Sequence, residues 1–237
     1  MIEGITIKMM QPDFLLWRCL HSGPLTKDTV DQPPPGNDWP EFKARNDPLL
    51  TKLTAVYGAC VVVVFDGDKI VGQLRFYPKF ICSMAAPGPG LCLQQRFPAG
   101  PADDLVAQRF PPLEELEDKT LFVHCLMIGS PQHGANPYQR RGLGKAMVRY
   151  LSDWAKASGW QAIEADAYED LDIIYALTGQ AGKTFWEKLE FRVAHIGVEA
   201  AFTQEIDFVK TLRGQAAARG LSPADILNKY RMRLELI

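Results

Sequence analysis

Residues 139–146 read Gln139-Arg140-Arg141-Gly142-Leu143-Gly144-Lys145-Ala146 and stand between an apolar run, Leu121 to Ile128, and the strongest helical pattern in the chain. From Gly142 onward, Leu143, Ala146, Met147, Tyr150, Leu151 and Trp154 recur at spacings of three and four. Lys145, Arg149, Ser152, Asp153 and Lys156 fill the other face, and Gly159 ends the helix. Glycines at a strand-to-helix turn let backbone N–H groups point together, and the helix N-terminus adds partial positive charge. The segment therefore predicts a seat for a phosphate or pyrophosphate, with Arg140, Arg141 and Lys145 adding full charges. A solvated basic turn is the alternative. A P-loop is excluded, because Gln139 stands where its first glycine belongs and Ala146 replaces the Ser/Thr after the lysine. A dinucleotide fingerprint is excluded too, because Met147 holds the third glycine position.

Upstream, the β-branched run Cys60 to Phe65, then Asp66-Gly67-Asp68-Lys69 and Ile70 to Tyr77, predict a hairpin. Leu121 to Ile128 reads as a strand buried on both faces. Downstream come a strand over Gln161 to Tyr168, a helix over Ala181 to Leu189, and one or two strands over Phe191 to Phe202. Glu205 to Ala218 follows as a helix, and Ser222-Pro223-Ala224-Asp225 resembles another helix start. Proline- and glycine-rich stretches, Gly23 to Pro40 and Pro78 to Pro112, read as loop insertions. The expected fold is α/β (α+β): a mixed sheet with an antiparallel front half and a parallel strand pair flanked by helices. The expected organisation is one domain, 1–237, with a core over about 55–200 and a helical C-terminal extension over about 204–237.

The chain has 237 residues and a formal net charge of −2, which leaves no basic excess for nucleic acid and no polybasic run for an anionic membrane. Its longest strongly apolar run, Val61 to Phe65, is far below the roughly 20 residues that span a bilayer. The start Met1-Ile2-Glu3-Gly4 lacks the pattern of a signal peptide. Five cysteines form an odd set without a CxxC, so neither a disulfide framework nor a metal site is expected, and the chain reads as a reduced cytoplasmic protein.

Gln139, Gly142 and Gly144 match the Q/R-x-x-G-x-G/A pattern of the GNAT superfamily of acyl-CoA-dependent N-acyltransferases, which the chain resembles. Phe185-Trp186-Glu187-Lys188-Leu189-Glu190-Phe191 resembles that family's F-Y-E-K-x-G-F ending. The resemblance implies acetyl-CoA or another acyl-CoA as cosubstrate, with its pyrophosphate on the N–H groups of Arg140, Arg141, Gly142, Leu143, Gly144 and Lys145. It implies a pantetheine arm paired with the backbone of Cys125, Leu126 and Met127, and a thioester carbonyl polarised by a backbone N–H of that strand. A primary amine of a small molecule or peptide would attack directly. The family often forms homodimers, and C-terminal helices without an assigned partner fit one. Three departures stand out: a long loop from Gly129 to Tyr138, Trp186 where many members carry a proton-donating tyrosine, and Glu190 where a glycine is usual.

Glu164 and Asp166 lie two residues apart, so a strand places both on one face, where they are candidate bases in a cleft, with solvent-facing charges or partners of a cation as the alternative. Tyr168 is a candidate acid or substrate contact, with a packing residue as the alternative. His124 and Cys125 on the buried strand read as core residues with a base or acyl-carrier role as the alternative. The acidic set Glu164, Asp166, Glu169, Asp170 and Asp172 suits a cationic acceptor. The leading expectation is an N-acetyltransferase; the alternative is a catalytically silent acyl-CoA-binding module.

Overall fold

Four consecutive valines, Val61–Val64, open strand β2 (Val61–Asp66), which turns back through Gly67 and Asp68 into β3 (Lys69–Pro78). Gly67 sits at φ 58°, a conformation glycine takes without the Cβ clash other residues meet. The computed structural model describes residues 4–18, 20, 24–31, 39–84, 108–129, 136–178, 180–199, 202, 206–222 and 224–236. β1 (Ile5–Met9) and α1 (Trp39–Tyr57) precede this hairpin, in segments where the sequence pattern announces no element. After it come α2 (Lys79–Met84), β4 (Thr120–Ile128), α3 (Leu143–Ala157) and β5 (Ala162–Ala167). The chain ends with α4 (Asp172–Thr178), α5 (Lys183–Glu187), β6 (Arg192–Val198), α6 (Ile206–Ala218) and β7 (Asn228–Glu235).

The strands form one sheet in the order β1-β2-β3-β4-β5-β7-β6. β4 and β5 run parallel and every other neighbouring pair runs antiparallel, which is the mixed sheet expected. α3 covers one face, here the back: its Trp154 packs on Phe76 of β3 at 5.3 Å between ring centroids. By alternation, Gln73, Arg75 and Tyr77 of β3 point to the opposite, front face. A second, smaller apolar cluster lies beyond the end of β5. There Tyr168, Leu171 and Ile174 meet Phe202, Leu212 and Ala216, joining α4 to α6.

Three expectations need correction. The C-terminal extension is helical only to Ala218; after a single 3-10 turn (Asp225–Leu227) the chain enters β7, a strand inserted between β5 and β6. The reason is a period of two: Tyr230, Met232 and Leu234 alternate with Lys229, Arg231 and Arg233, a pattern that a helix would scatter over all sides. Helix α5 is shorter than expected, because Glu190 takes φ 69° and turns the chain into β6. That is the left-handed conformation a glycine adopts freely, so this turn keeps the glycine-type geometry at some cost in strain. Finally, both insertions carry helix at their edges. Trp39 begins α1 and Lys79–Met84 forms α2, while 32–38 and 85–107 lie outside the described residues.

Candidate active site

Strands β4 and β5 pair only from Thr120↔Ala162 to Val123↔Ala165. Beyond that point β4 continues to Ile128 on β3 alone, and β5 continues to Ala167 on β7. The split coincides with a bulge. Phe76 pairs with Val123 but Arg75 pairs with Cys125, so His124 is the extra residue. A bulge bends its strand and increases the local twist, which carries β4 away from β5. Thr120 to Val123 are buried, whereas His124 to Ile128 are half-buried. The expectation of a strand buried on both faces therefore holds for its first half only.

Peptide alternation shows which backbone groups face the split. Gly129 N–H donates to the Val71 carbonyl at 2.8 Å, so the peptide groups of Gly129, Met127 and Cys125 turn toward β3. Those of Leu126 and Ile128 turn the other way, where β5 no longer runs. The Asn136 side-chain amide donates to the Ile128 carbonyl at 3.5 Å from that side. Of Cys125, Leu126 and Met127, Leu126 presents its backbone to the split; Ile128 does so as well and was not anticipated, because no sequence pattern marks the bulge that sets the phase.

The glycine turn lies at the open end of the split. Gly142 is the N-cap of α3 at φ 80° and offers no side chain to cap the helix. The first helical bond runs from Ala146 N–H to the Gly142 carbonyl, at 3.0 Å, which leaves the N–H groups of Leu143, Gly144 and Lys145 without an intrahelical acceptor. Arg140, Arg141 and Lys145 are exposed around them. Arg140 is itself in a positive-φ conformation, at 59°. A Cβ on Gly144 would lie 3.4 Å from both Leu126 Cδ2 and Phe185 Cε2, so the missing side chain lets α3 seat closely on β4 and α5. Gln139 Nε2 reaches the Tyr175 hydroxyl at 3.5 Å. Residues 130–135 of the long loop are outside the described residues.

On the front face, Glu164 and Asp166 are brought together as expected, but each is ringed by cations. Glu164 accepts from Lys79 Nζ at 2.9 Å, Arg233 Nη1 at 2.8 Å and Arg231 Nη1 at 3.2 Å. Asp166 meets Arg231 Nε at 2.7 Å and Lys229 Nζ at 2.8 Å. Burial opposes ionisation of Glu164, but the bonds from Lys79 and Arg233 outweigh it and hold the carboxyl below its ordinary value. Burial likewise works against the Arg231 charge, and Asp166 more than compensates, raising its pKa. Carboxylates so occupied are poorly arranged to take a proton. Tyr168 is buried in the second cluster, donates to Glu199 Oε2 at 3.0 Å, and packs on Phe202 with ring centroids 5.0 Å apart. A cavity of about 300 Å³ at that end of β5 is lined by Tyr168, Glu169, Asp172, Tyr175, Gln180 and Arg219.

His124 stacks on Tyr77, with ring centroids 5.6 Å apart. Trp186 is core, between Phe185 and Phe191, and its indole N–H is buried without an acceptor. Cys60, Cys82 and Cys125 take part in no disulfide. Among the described residues no group of three or more His, Cys, Asp or Glu side chains is arranged to hold a metal ion, and no helix is long and apolar enough to cross a membrane.

No protein-family model matches the chain, and no curated protein matches its sequence. Solved structures do. A GNAT-family acetyltransferase from Streptococcus pneumoniae superposes with a TM-score of 0.47 at 13% identity, over 98% of each chain. The ribosomal-protein-S18-alanine N-acetyltransferase from Escherichia coli gives 0.44 at 11% identity, over 98% of this chain and 94% of that one. Ard1 from Thermoplasma volcanium gives 0.44 at 10% identity, over 99% of each.

Proposed function

We propose that this chain is a GNAT-type N-acyltransferase that moves an acetyl group from acetyl-CoA to a primary amine of a small molecule or peptide. One observation carries the reading: the parallel strand pair β4–β5 splits at a bulge, and the split opens beside an uncapped, arginine-flanked helix N-terminus. The pyrophosphate fits the free N–H groups of Leu143, Gly144 and Lys145, where the helix dipole and Arg140, Arg141 and Lys145 favour an anion. The pantetheine amides fit the backbone of Leu126 and Ile128, as an added strand would. A β4 N–H at or next to the bulge then polarises the thioester carbonyl.

The amine attacks from the front, because α3 covers the back. Its nitrogen bonds to the carbonyl carbon, the C–S bond breaks, and the proton that the nitrogen sheds on becoming an amide passes through water to the thiolate. The proton of the ammonium substrate leaves to solvent before attack. We read Glu164 and Asp166 as framework charges that fix β5 to β7, and Tyr168 as an anchor of the second cluster, rather than as proton carriers. We further place the protein in the cytoplasm, in keeping with an odd set of cysteines without a CxxC. We also propose a homodimer joined through β6, an edge strand exposed along nearly its whole length.

A catalytically silent acyl-CoA-binding module is the second reading, favoured by the buried Trp186, whose indole cannot protonate a thiolate. Calorimetric titration with acetyl-CoA, with the Gly142→Glu/Gly144→Glu double variant as control, tests both. Binding by the wild type that the variant loses is expected, followed by thiol release when an amine is added. Absence of wild-type binding overturns the acyl-CoA reading, and binding without thiol release for any amine favours the silent module.

A further inference from the structure

Gln73 is fully buried, on the front face of β3. Its side-chain nitrogen lies 3.8 Å from Met127 Sδ and 4.0 Å from Cys125 Sγ, both weak acceptors, which directs the amide over β4. Its side-chain oxygen is buried with no hydrogen-bond partner. Cores retain an orphaned polar atom of this kind rarely, because a hydrophobic side chain of the same shape would be more stable there. The oxygen is an acceptor only, so its missing partner is a donor. Met127 and Cys125 flank Leu126, whose backbone faces the split, and the back of that segment is closed by Gly144 and Phe185. Gln73 thus sits on the front of β3, beside the β4 segment that borders the split.

We propose that Gln73 is a positioning residue for the acceptor: its side-chain oxygen accepts an N–H of the incoming amine on the front of β4. The inference rests on the acyltransferase reading. An amide oxygen stays neutral over the working pH range, so it orients the amine without removing its proton. A neutral acceptor also holds a free amine without binding ammonium as tightly as a carboxylate would, which keeps the nucleophilic form in place.

The test compares wild type, Gln73→Met and Gln73→Glu. Acetyl-CoA affinity is measured by calorimetry, and thiol release is followed with benzylamine, spermidine, an aminoglycoside and a peptide with a free N-terminus. Gln73→Met keeps the volume and removes the orphan; it is expected to melt at or above the wild-type temperature and to bind acetyl-CoA unchanged. KM for the amine should rise about tenfold, the scale of one hydrogen bond to a polar or charged donor. Gln73→Glu keeps an acceptor oxygen and should recover most of that loss in KM, but it holds the ammonium form, so its kcat should stay below wild type. Unchanged amine kinetics in Gln73→Met, or equal loss of acetyl-CoA affinity, overturns the proposal while leaving the acyltransferase reading in place. A wild type that binds acetyl-CoA but turns over none of the four amines overturns the proposal as well, and favours the silent module over the acyltransferase reading. A wild type that binds no acetyl-CoA removes the underlying reading, and this proposal with it.

Discussion

Glu164→Gln removes one negative charge from a point where three cations converge, and its consequence separates a framework carboxylate from a catalytic one. The Glu164 side chain is 4% exposed, while Lys79, Arg231 and Arg233 are each about 30% exposed. Breaking a fully buried ion pair costs about 3–5 kcal/mol, and an exposed pair is worth about 0–1 kcal/mol. Here the carboxylate is buried but its partners can rehydrate, so a loss of about 2–3 kcal/mol is expected, which lowers Tm by about 4–12 °C in a chain of this size. The pH dependence has a definite sign. The folded-state pKa of Glu164 lies below its ordinary 4.5, so the carboxylate's contribution is full above that value. It fades as pH falls through the folded pKa. The gap in Tm between wild type and Glu164→Gln should therefore be full at neutral pH and close steadily below pH 4.5. Differential scanning calorimetry across that range, paired with acetyl-transfer assays at 25 °C, reads both quantities. A variant with unchanged Tm and abolished transfer would refute the framework argument and make Glu164 the proton acceptor.

Gly142→Ala should cost about 1–2 kcal/mol in urea unfolding, because its φ of 80° is left-handed, although a Cβ there meets nothing within 4 Å. Gly144→Ala should change stability by less than about 1 kcal/mol, since the helix-propensity gain offsets the tight contacts with Leu126 and Phe185. A larger loss at Gly144 than at Gly142 would show that packing, not backbone conformation, governs the turn. On β6, Val193, Ile196 and Val198 are 38%, 53% and 69% exposed. Light scattering should report a dimer that Ile196→Lys converts to a monomer, and a monomeric wild type would refute the β6 interface.

The glycine turn and α3 were legible in the sequence because both are local. A 3.6-residue apolar period and two glycines need no knowledge of the rest of the chain, and the observed α3, Leu143–Ala157, falls inside the predicted span. The hairpin between β2 and β3 was legible for the same reason. The bulge at His124 was not, because its signal is the register between two strands some fifty residues apart. That one-residue offset decides that Leu126 and Ile128, rather than Cys125 and Met127, face the split.

The carboxylates on β5 show how a correct local observation can support two opposite chemistries. A charged pair on a central strand is costly, and two arrangements relieve the cost: a cleft that brings water or a cationic substrate, or a neighbouring strand that brings cations. Spacing alone cannot choose between them. The choice was nevertheless encoded in residues 229–235, where Lys229, Arg231 and Arg233 repeat every second position, the same period as Glu164 and Asp166. Two strands with matching periods and opposite charge are complementary when antiparallel, and the observed register places Glu164 opposite Arg233 and Asp166 opposite Arg231. Reading a helix from Ser222 onward hid that complementarity, because helical geometry would place Arg231 and Arg233 about 200° apart around the axis. On the proposed function, the same ladder leaves acceptor recognition to β3 rather than β5. With the acidic pair satisfied by β7, the orphaned oxygen of Gln73 is a buried front-face acceptor that lacks a donor.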